Sequence, residues 1–199
     1  MTDTFWYEDQ VFSGEDWYAR EFADERYRRC QFIDVDLTEA SSDGAVFEEC
    51  TFANVRLNAS VHRDSAFLRC LFERSNLFEA SFTGCKLVGS SFVECDLRPL
   101  TVTDGDWSFL SLRAADLRGV RFTGVRMREV DLTDARCDGA VLTMLDLSAA
   151  RVHHTSLREC DLRGSDIAGL DPGAVDLTGT ILDTAQAVQL VQSLGAVVR

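Results

Sequence analysis

Seven cysteines and three histidines are the residues of widest chemical reach in this 199-residue chain. A thiolate can attack carbon or sulfur, and thiolates with imidazoles can hold zinc. Both uses depend on spacing. No Cys-x-x-Cys occurs, and His153 and His154 are adjacent, with no acid or cysteine spaced to complete a ligand set. Cys30, Cys50, Cys70, Cys85, Cys95 and Cys160 are instead separated by multiples of five residues, a spacing set by packing. Neither a Gly-x-Gly-x-x-Gly nor a phosphate-loop motif is present. The reading is therefore of no catalytic, metal-ligating or cofactor-binding residues, no cofactor and no enzyme.

Charge is the other resource. Asp and Glu number 33 against 20 Lys and Arg, a formal net charge of −13. Such an excess argues against direct nucleic-acid binding, which needs a basic face, and against adsorption to an anionic membrane. No apolar run approaches the ~18 residues of a membrane span. Met1 to Asp9 carries no basic stretch followed by an apolar one, so the sequence predicts a cytoplasmic protein without a signal peptide.

These residues are positioned by a period of five. Every fifth residue from Phe32 to Ile167 is apolar except Ser42 and His62. A second track two residues earlier, from Cys30 to Ser165, is small or apolar and never charged. Neither a helix nor a half-buried strand keeps a five-residue period on one face, but a chain that turns a corner every five residues does. Such a chain is a solenoid whose coils bury one another's apolar side chains. The tracks then fill the interior, with the cysteines as small buried residues and His62 as a local irregularity. Sorting the large track by 20 stacks Phe32, Phe52, Phe72 and Phe92 on one face and Leu37, Leu57, Leu77, Leu97 and Leu117 on the next. From Phe12 to Leu182 this gives a rod of roughly 41 Å at ~4.8 Å per coil.

Several charges should pair one coil apart. Asp116 would lie over Arg136, Arg118 over Asp138, and Asp106, Arg126 and Asp146 would alternate. The unmatched surplus lies near the end, where Asp161, Asp166, Asp171, Asp176 and Asp183 face only Arg163, and neither Asp161 nor Asp166 has a base one coil away. The ends differ from the middle. Glu15, Arg20 and Glu25 interrupt the small track, so 1–29 reads as an N-terminal segment and capping coil, with 30–183 as the regular β-helix. Pro172 breaks the large track. Asp183 with Gln186 fits a capping box, and Ala187, Val188, Leu190, Val191 and Leu194 form the apolar stripe of a helix, placing a C-terminal helix in 184–199.

The repeat, as in Cys95-Asp96-Leu97-Arg98-Pro99, resembles that of the pentapeptide repeat family. The resemblance implies an all-β, right-handed quadrilateral parallel β-helix with 20 residues per coil, here followed by a short C-terminal helix. Within the family the chain is most similar to the DNA gyrase-targeting subgroup of MfpA, Qnr and AlbG, and to MfpA above all. Leu87 to Thr101, Ala115-Asp116-Leu117-Arg118-Gly119 and the Asp171-Pro172 break before a helix carry that likeness. The unbroken phase departs from Qnr proteins with projecting loops. The likeness implies a homodimer joined at the C-terminal end, with Val188, Val191 and Leu194 as the seam. It also implies an acidic rod that mimics DNA, occupies DNA gyrase, a type II topoisomerase, and modulates it or protects it from quinolones or a gyrase-directed toxin. Asp161, Asp166, Asp171, Asp176 and Asp183 are then the candidate gyrase-facing acids. A gyrase-independent interaction scaffold remains the alternative.

Overall fold

A computed structural model describes residues 5–198. Each five-residue unit forms one side of a square coil. The strands run in chain order as β1 (Tyr7–Glu8), β2 (Val11–Ser13), β3 (Glu21–Ala23), β4 (Arg26–Arg28), β5 (Gln31–Ile33) and β6 (Ser41–Asp43). Then come β7 (Val46–Glu48), β8 (Thr51–Ala53), β9 (Val61–Arg63), β10 (Ala66–Leu68) and β11 (Leu71–Glu73). The series closes with β12 (Ser81–Thr83), β13 (Ser91–Val93), β14 (Thr101–Thr103), β15 (Arg121–Thr123), β16 (Val141–Thr143) and a single helix, α1 (Thr184–Ser193).

All strand pairs are parallel and in a register of 20 residues, as in Phe32↔Phe52 and Phe72↔Phe92. Three sides of the square are sheets: β1-β4-β7-β10, β2-β5-β8-β11-β13, and the longest, seven strands deep, β3-β6-β9-β12-β14-β15-β16. The fourth side is held by single bridges such as Asp36↔Arg56 and Asn76↔Asp96. About seven turns stack in this way, and bridges carry the ladder on to Ile181. Parallel pairing begins at Tyr7, inside the segment expected to cap the solenoid.

Local geometry follows the large-track residue. All its Phe and Tyr residues from Tyr7 to Phe122 lie in strands, whereas its leucines, Leu142 excepted, follow a single bridge, and most of them enter a turn. Stacked rings explain this. The Phe32–Phe52–Phe72–Phe92 column has centroids 4.7 Å apart, and Tyr7–Tyr27–Phe47–Phe67 runs at 4.8 to 5.0 Å. That is the natural spacing of paired strands, so flush rings require extended, parallel backbones beneath them. Leucine fills the same volume without that constraint.

Most corners turn on a residue with positive φ, Pro99 and Gly169 being exceptions. Glycine serves at several corners, but 23 non-glycine residues, Asp24, Glu79 and Phe109 among them, also adopt this left-handed conformation. The core runs the length of the rod, from Phe22 to Leu170.

The interior absorbs the groups of chemical interest. His62 is 4% exposed, stacks on Phe82 at 4.6 Å, and lies 2.8 Å from Ser42 Oγ through Nδ1 and 3.1 Å from Ser60 Oγ through Nε2. The two polar residues of the large track thus satisfy each other one coil apart, and burial pushes the His62 pKa down to about 3. Burial likewise pushes the thiols of Cys85 and Cys95 up to about 11 and that of Cys160 up to about 12.

The last coil is sealed by α1. Asp183 caps the helix and Gln186 completes the capping box, with Asp183 N–H donating to Gln186 Oε1 (2.8 Å) and Gln186 N–H to Asp183 Oδ1 (2.9 Å). Gln186 is itself buried, and its Nε2 donates to the carbonyls of Leu162 (2.6 Å) and Ser165 (2.8 Å). The helix ends at Ser193, and residues 196–198 run on without regular structure. No helix among the described residues is long and apolar enough to cross a membrane.

Candidate functional site

With the interior filled, the surface must carry function. It is built from three outward positions per repeat: the residue before the large apolar one, the residue after it, and the corner residue. Aspartate in the first position has a structural task, because its Oδ1 accepts the backbone N–H two residues on and fixes the turn. Asp36 to Thr38 (3.0 Å), Asp106 to Ser108 (3.1 Å) and Asp131 to Thr133 (3.0 Å) are examples.

Four of the candidate acids sit in this position. Asp161 accepts from Arg163 N–H (3.2 Å), Asp166 from Ala168 (2.9 Å), Asp171 from Gly173 (2.9 Å) and Asp176 from Thr178 (3.0 Å). Asp183 is the helix cap and also accepts from Gly164 N–H at 3.1 Å. Two of them are charge-paired as well. Asp161 meets Arg163 of its own repeat at 2.7 Å, and Asp176 meets Arg158 at 3.3 Å. The expectation that Asp161 stands unpaired is thus corrected: its neighbours one coil away are uncharged, but an arginine two residues along folds back onto it. The Arg163 hydrogen bond holds the Asp161 carboxyl below the usual carboxylate range. Asp166 lies beside Asp146 and touches only Ser148 Oγ (3.2 Å) besides its turn amide, while Asp171 is exposed.

Elsewhere a number of acids are matched to arginines one coil away. Asp9–Arg29 (2.7 Å), Asp36–Arg56 (2.6 Å), Glu49–Arg69 (3.0 Å), Asp106–Arg126 (3.1 Å) and Asp131–Arg151 (3.1 Å) are of this kind. Asp116 gathers Arg118 (2.8 Å), Arg136 (2.9 Å) and Arg98 (3.3 Å), and the Arg118 hydrogen bond leads in bringing its pKa down to about 2. Arg118 therefore turns to Asp116 rather than to Asp138, and Asp146 is held by Arg128 at 2.7 Å rather than by Arg126. Long arginine side chains reach along the coil as readily as across it, which a register drawn from numbers alone does not reveal.

Two corner columns escape this neutralisation, and both border the seven-stranded sheet. One runs Asp24, Gly44, Asp64, Gly84, Asp104, Gly124; the other has Glu39 and Glu79 separated by Ala59. Among the described residues no arginine or lysine lies within ion-pair distance of any of these acids; Glu39 accepts a hydrogen bond from Tyr18 Oη at 2.7 Å. The alternation is steric as well as electrostatic. A Cβ on Gly44 would sit 2.7 Å from Asp24 Oδ1, and one on Gly124 2.6 Å from Asp104 Oδ1, so each aspartate lies along the corner over the glycine of the next coil. Sequence reasoning passed over these columns, although their 40-residue period was visible.

The expected dimer seam is partly presented. Val191 is 43% and Leu194 69% exposed, Val188 is half-buried, and Ile181 at 48% extends the apolar surface beside α1.

Family models described as pentapeptide repeat region and pentapeptide repeats match residues 75–142 and 146–183, together more than half of the sequence. The chain is a pentapeptide repeat protein. A model of the SV2A/B/C luminal domain also matches residues 3–92, the part rich in stacked rings. The pentapeptide repeat protein MfpA of Mycobacterium tuberculosis is 46% identical over 93 residues, 47% of this chain and 51% of that protein. MfpA of Mycolicibacterium smegmatis is 39% identical over 59 residues, 30% of this chain and 31% of that protein. The aligned parts thus span about half of one curated relative and a third of the other. Among solved structures, a trypsin-treated form of QnrB1, a plasmid-mediated fluoroquinolone resistance protein, aligns with TM-score 0.71 and 21% identity over 98% of this chain and 100% of that one. Full-length QnrB1 gives 0.58 and 20% over 96% and 100%. At these identities the likeness is one of fold.

Proposed function

We propose that this pentapeptide repeat chain is an acidic DNA mimic that binds DNA gyrase in the cytoplasm, modulating it or shielding it from quinolones or a gyrase-directed toxin. The 46% identity to MfpA is the observation that carries the reading. The net charge of −13 supports it, and arginine pairing leaves Asp166, Asp171 and the corner columns among the uncompensated acids. Joined end to end through Val188, Val191 and Leu194, two rods would carry roughly one net charge per 3 Å, against one per ~1.7 Å of duplex. Asp166 and Asp171, free of arginine, would then flank the two-fold axis. Complementary potential steers such a rod onto a DNA-binding surface.

The test is gyrase supercoiling and drug-induced DNA cleavage, titrated with the purified protein. Alanine at Asp161, Asp166, Asp171 or Asp176 would remove the turn acceptor along with the charge. Asparagine keeps the acceptor, so a fourfold Asp→Asn variant at these positions isolates charge. Inhibition or protection by the parent, weakened about tenfold or more in the variant at unchanged melting temperature, supports the reading. No response at concentrations far above gyrase refutes it and leaves an interaction scaffold with another partner.

A further inference from the structure

The parallel ladder is interrupted inside the solenoid, on the bridge-held side. There Leu77 N–H donates to Asp96 O (2.7 Å) and Leu117 N–H to Arg136 O (2.7 Å), with bridges Asn76↔Asp96 and Asp116↔Arg136. Between these levels the coil of Leu97 and the coil of Leu117 exchange no backbone bond on that side. Leu97 N–H does not reach Asp116 O, Asp116 N–H does not reach Cys95 O, and no bridge joins Asp96 to Asp116. Around the corner Arg74 N–H donates to Val93 O (2.9 Å), but Glu94 N–H has no counterpart bond to Arg113 O. Pairing resumes on either flank, with Phe92 N–H on Ser111 O (3.1 Å) and Arg121 N–H on Leu100 O (2.9 Å).

The gap opens a groove of about 450 Å³ lined by Glu94, Cys95, Leu97, Arg113, Ala115 and Asp116. Cys95 and Ala115 are half-buried there, whereas Ser75 and Ala135, one coil before and after, are buried. The diagonally opposite corner has a surface recess of its own, about 570 Å³ beside Gly84, Lys86 and Gly105, but its backbone ladder is closed. Its bridges Lys86↔Asp106 and Asp106↔Arg126 are intact, and Gly105, at φ +96, is packed so closely that a Cβ would run into the carbonyl oxygen of Cys85. The stack is therefore pinched at one corner and open at the other.

The side chains at the gap also lack a tie that some other levels have. At three serines of this track the hydroxyl accepts a backbone N–H from the coil before: Val55 onto Ser75 (3.0 Å), Cys70 onto Ser90 (2.8 Å) and Leu145 onto Ser165 (2.9 Å). Ala115 offers no such acceptor to Cys95. The polar tie left across the gap is Arg98 Nη2 to Asp116 Oδ2, 3.3 Å long and half-buried.

We infer that this seam is a hinge. The coils ending at Val93 and those beginning at Ser111 rock about the corner of Cys85 and Gly105, widening and narrowing the groove at Glu94–Leu97. Opening the stack at a bonded level breaks ladder bonds, whereas here those bonds are absent from the start, so the motion costs little. A rod jointed near its middle can adjust its curvature to a partner's surface.

Spin labels on ketone-bearing residues, which spare the native thiols, test the hinge across one set of coils. Labels replacing Asn54 and Asp134 lie on the open corner; labels replacing Asp64 and Met144 span the same four coils on the pinched one. The hinge requires the open-corner distance distribution to be at least twice as wide as the other. It also requires the amides of Glu94, Leu97 and Asp116 to exchange hydrogen about a hundredfold faster than those of Arg74, Leu77 and Leu117. Ala115→Ser, which supplies the missing acceptor, should narrow the open-corner distribution. Equal widths at the two corners, protected seam amides, or a folded Ala115→Ser variant with unchanged width would each overturn the inference.

Discussion

The first half of the solenoid and the second share one five-residue phase but hold it by different means. Up to Phe92 the interior is columns of stacked rings over three-residue strands; from Leu112 onward it is mostly leucine, valine and alanine over single bridges and turns. Ring stacking fixes side-chain orientation as well as volume, so the aromatic half should be the stiffer and less tolerant of substitution. The aliphatic half leaves more room for repacking. The seam at Glu94–Leu97 lies where the one gives way to the other.

The sharpest way to break that contrast is truncation of matched core positions. Phe52→Ala removes a ring from the middle of a column and should cost about 4 kcal/mol, while Leu132→Ala should cost about 3 kcal/mol, both read from denaturant unfolding. Equal losses would mean that stacking adds nothing beyond volume.

Acidification should also strike the aromatic half first. His62 has a folded-state pKa of about 3 against 6.5 when unfolded, so the unfolded chain takes up the proton first and stability falls as pH drops below 6.5. Between pH 6.5 and 4.5 the loss should be about 2 kcal/mol, in a window above the titration of the lowered carboxylates. His62→Phe, continuing the column of Phe82, should flatten that slope in pH-dependent unfolding.

Corner substitutions should differ in sign with the residue replaced, and in both halves alike. Gly44→Ala places a Cβ against Asp24 at φ +66 and should destabilise by about 1–2 kcal/mol. Glu129→Gly relieves a side chain held at φ +53 and should stabilise by up to about 1 kcal/mol, offset in part by the freer unfolded chain. Thermal melts of the pair would check both. Smallest of all, Arg56→Ala breaks an exposed pair with Asp36 and should change stability by less than about 1 kcal/mol, with the difference vanishing in high salt.

Much of this was readable from residues. The period of five, the Phe32 column, the irregularity at Ser42 and His62 and the Asp183–Gln186 cap all follow from which residues recur at which intervals. The register of core side chains is a counting property, and counting is what a sequence preserves. Hydrogen bonds and side-chain reach are not. The phase runs unbroken through Cys95 and Ala115 although the ladder between them is open, because phase records residues rather than bonds. A count by twenty shows only vertical neighbours, whereas Asp161 is claimed by Arg163 within its own repeat. The turn-fixing work of aspartate was equally hidden, since an acid that builds a corner and an acid that faces a partner occupy the same place in the repeat.

The alternation of Asp24, Gly44, Asp64, Gly84, Asp104 and Gly124 gives the molecule two units of heredity. The core repeats after one coil, so loss of residues 65–84 would leave every buried column with an acceptable neighbour. The corner repeats after two, and the same deletion would set Asp64 directly beneath Asp104, where the recess of a glycine is needed. Lineages of this chain should therefore lengthen or shorten cleanly by forty residues and only awkwardly by twenty.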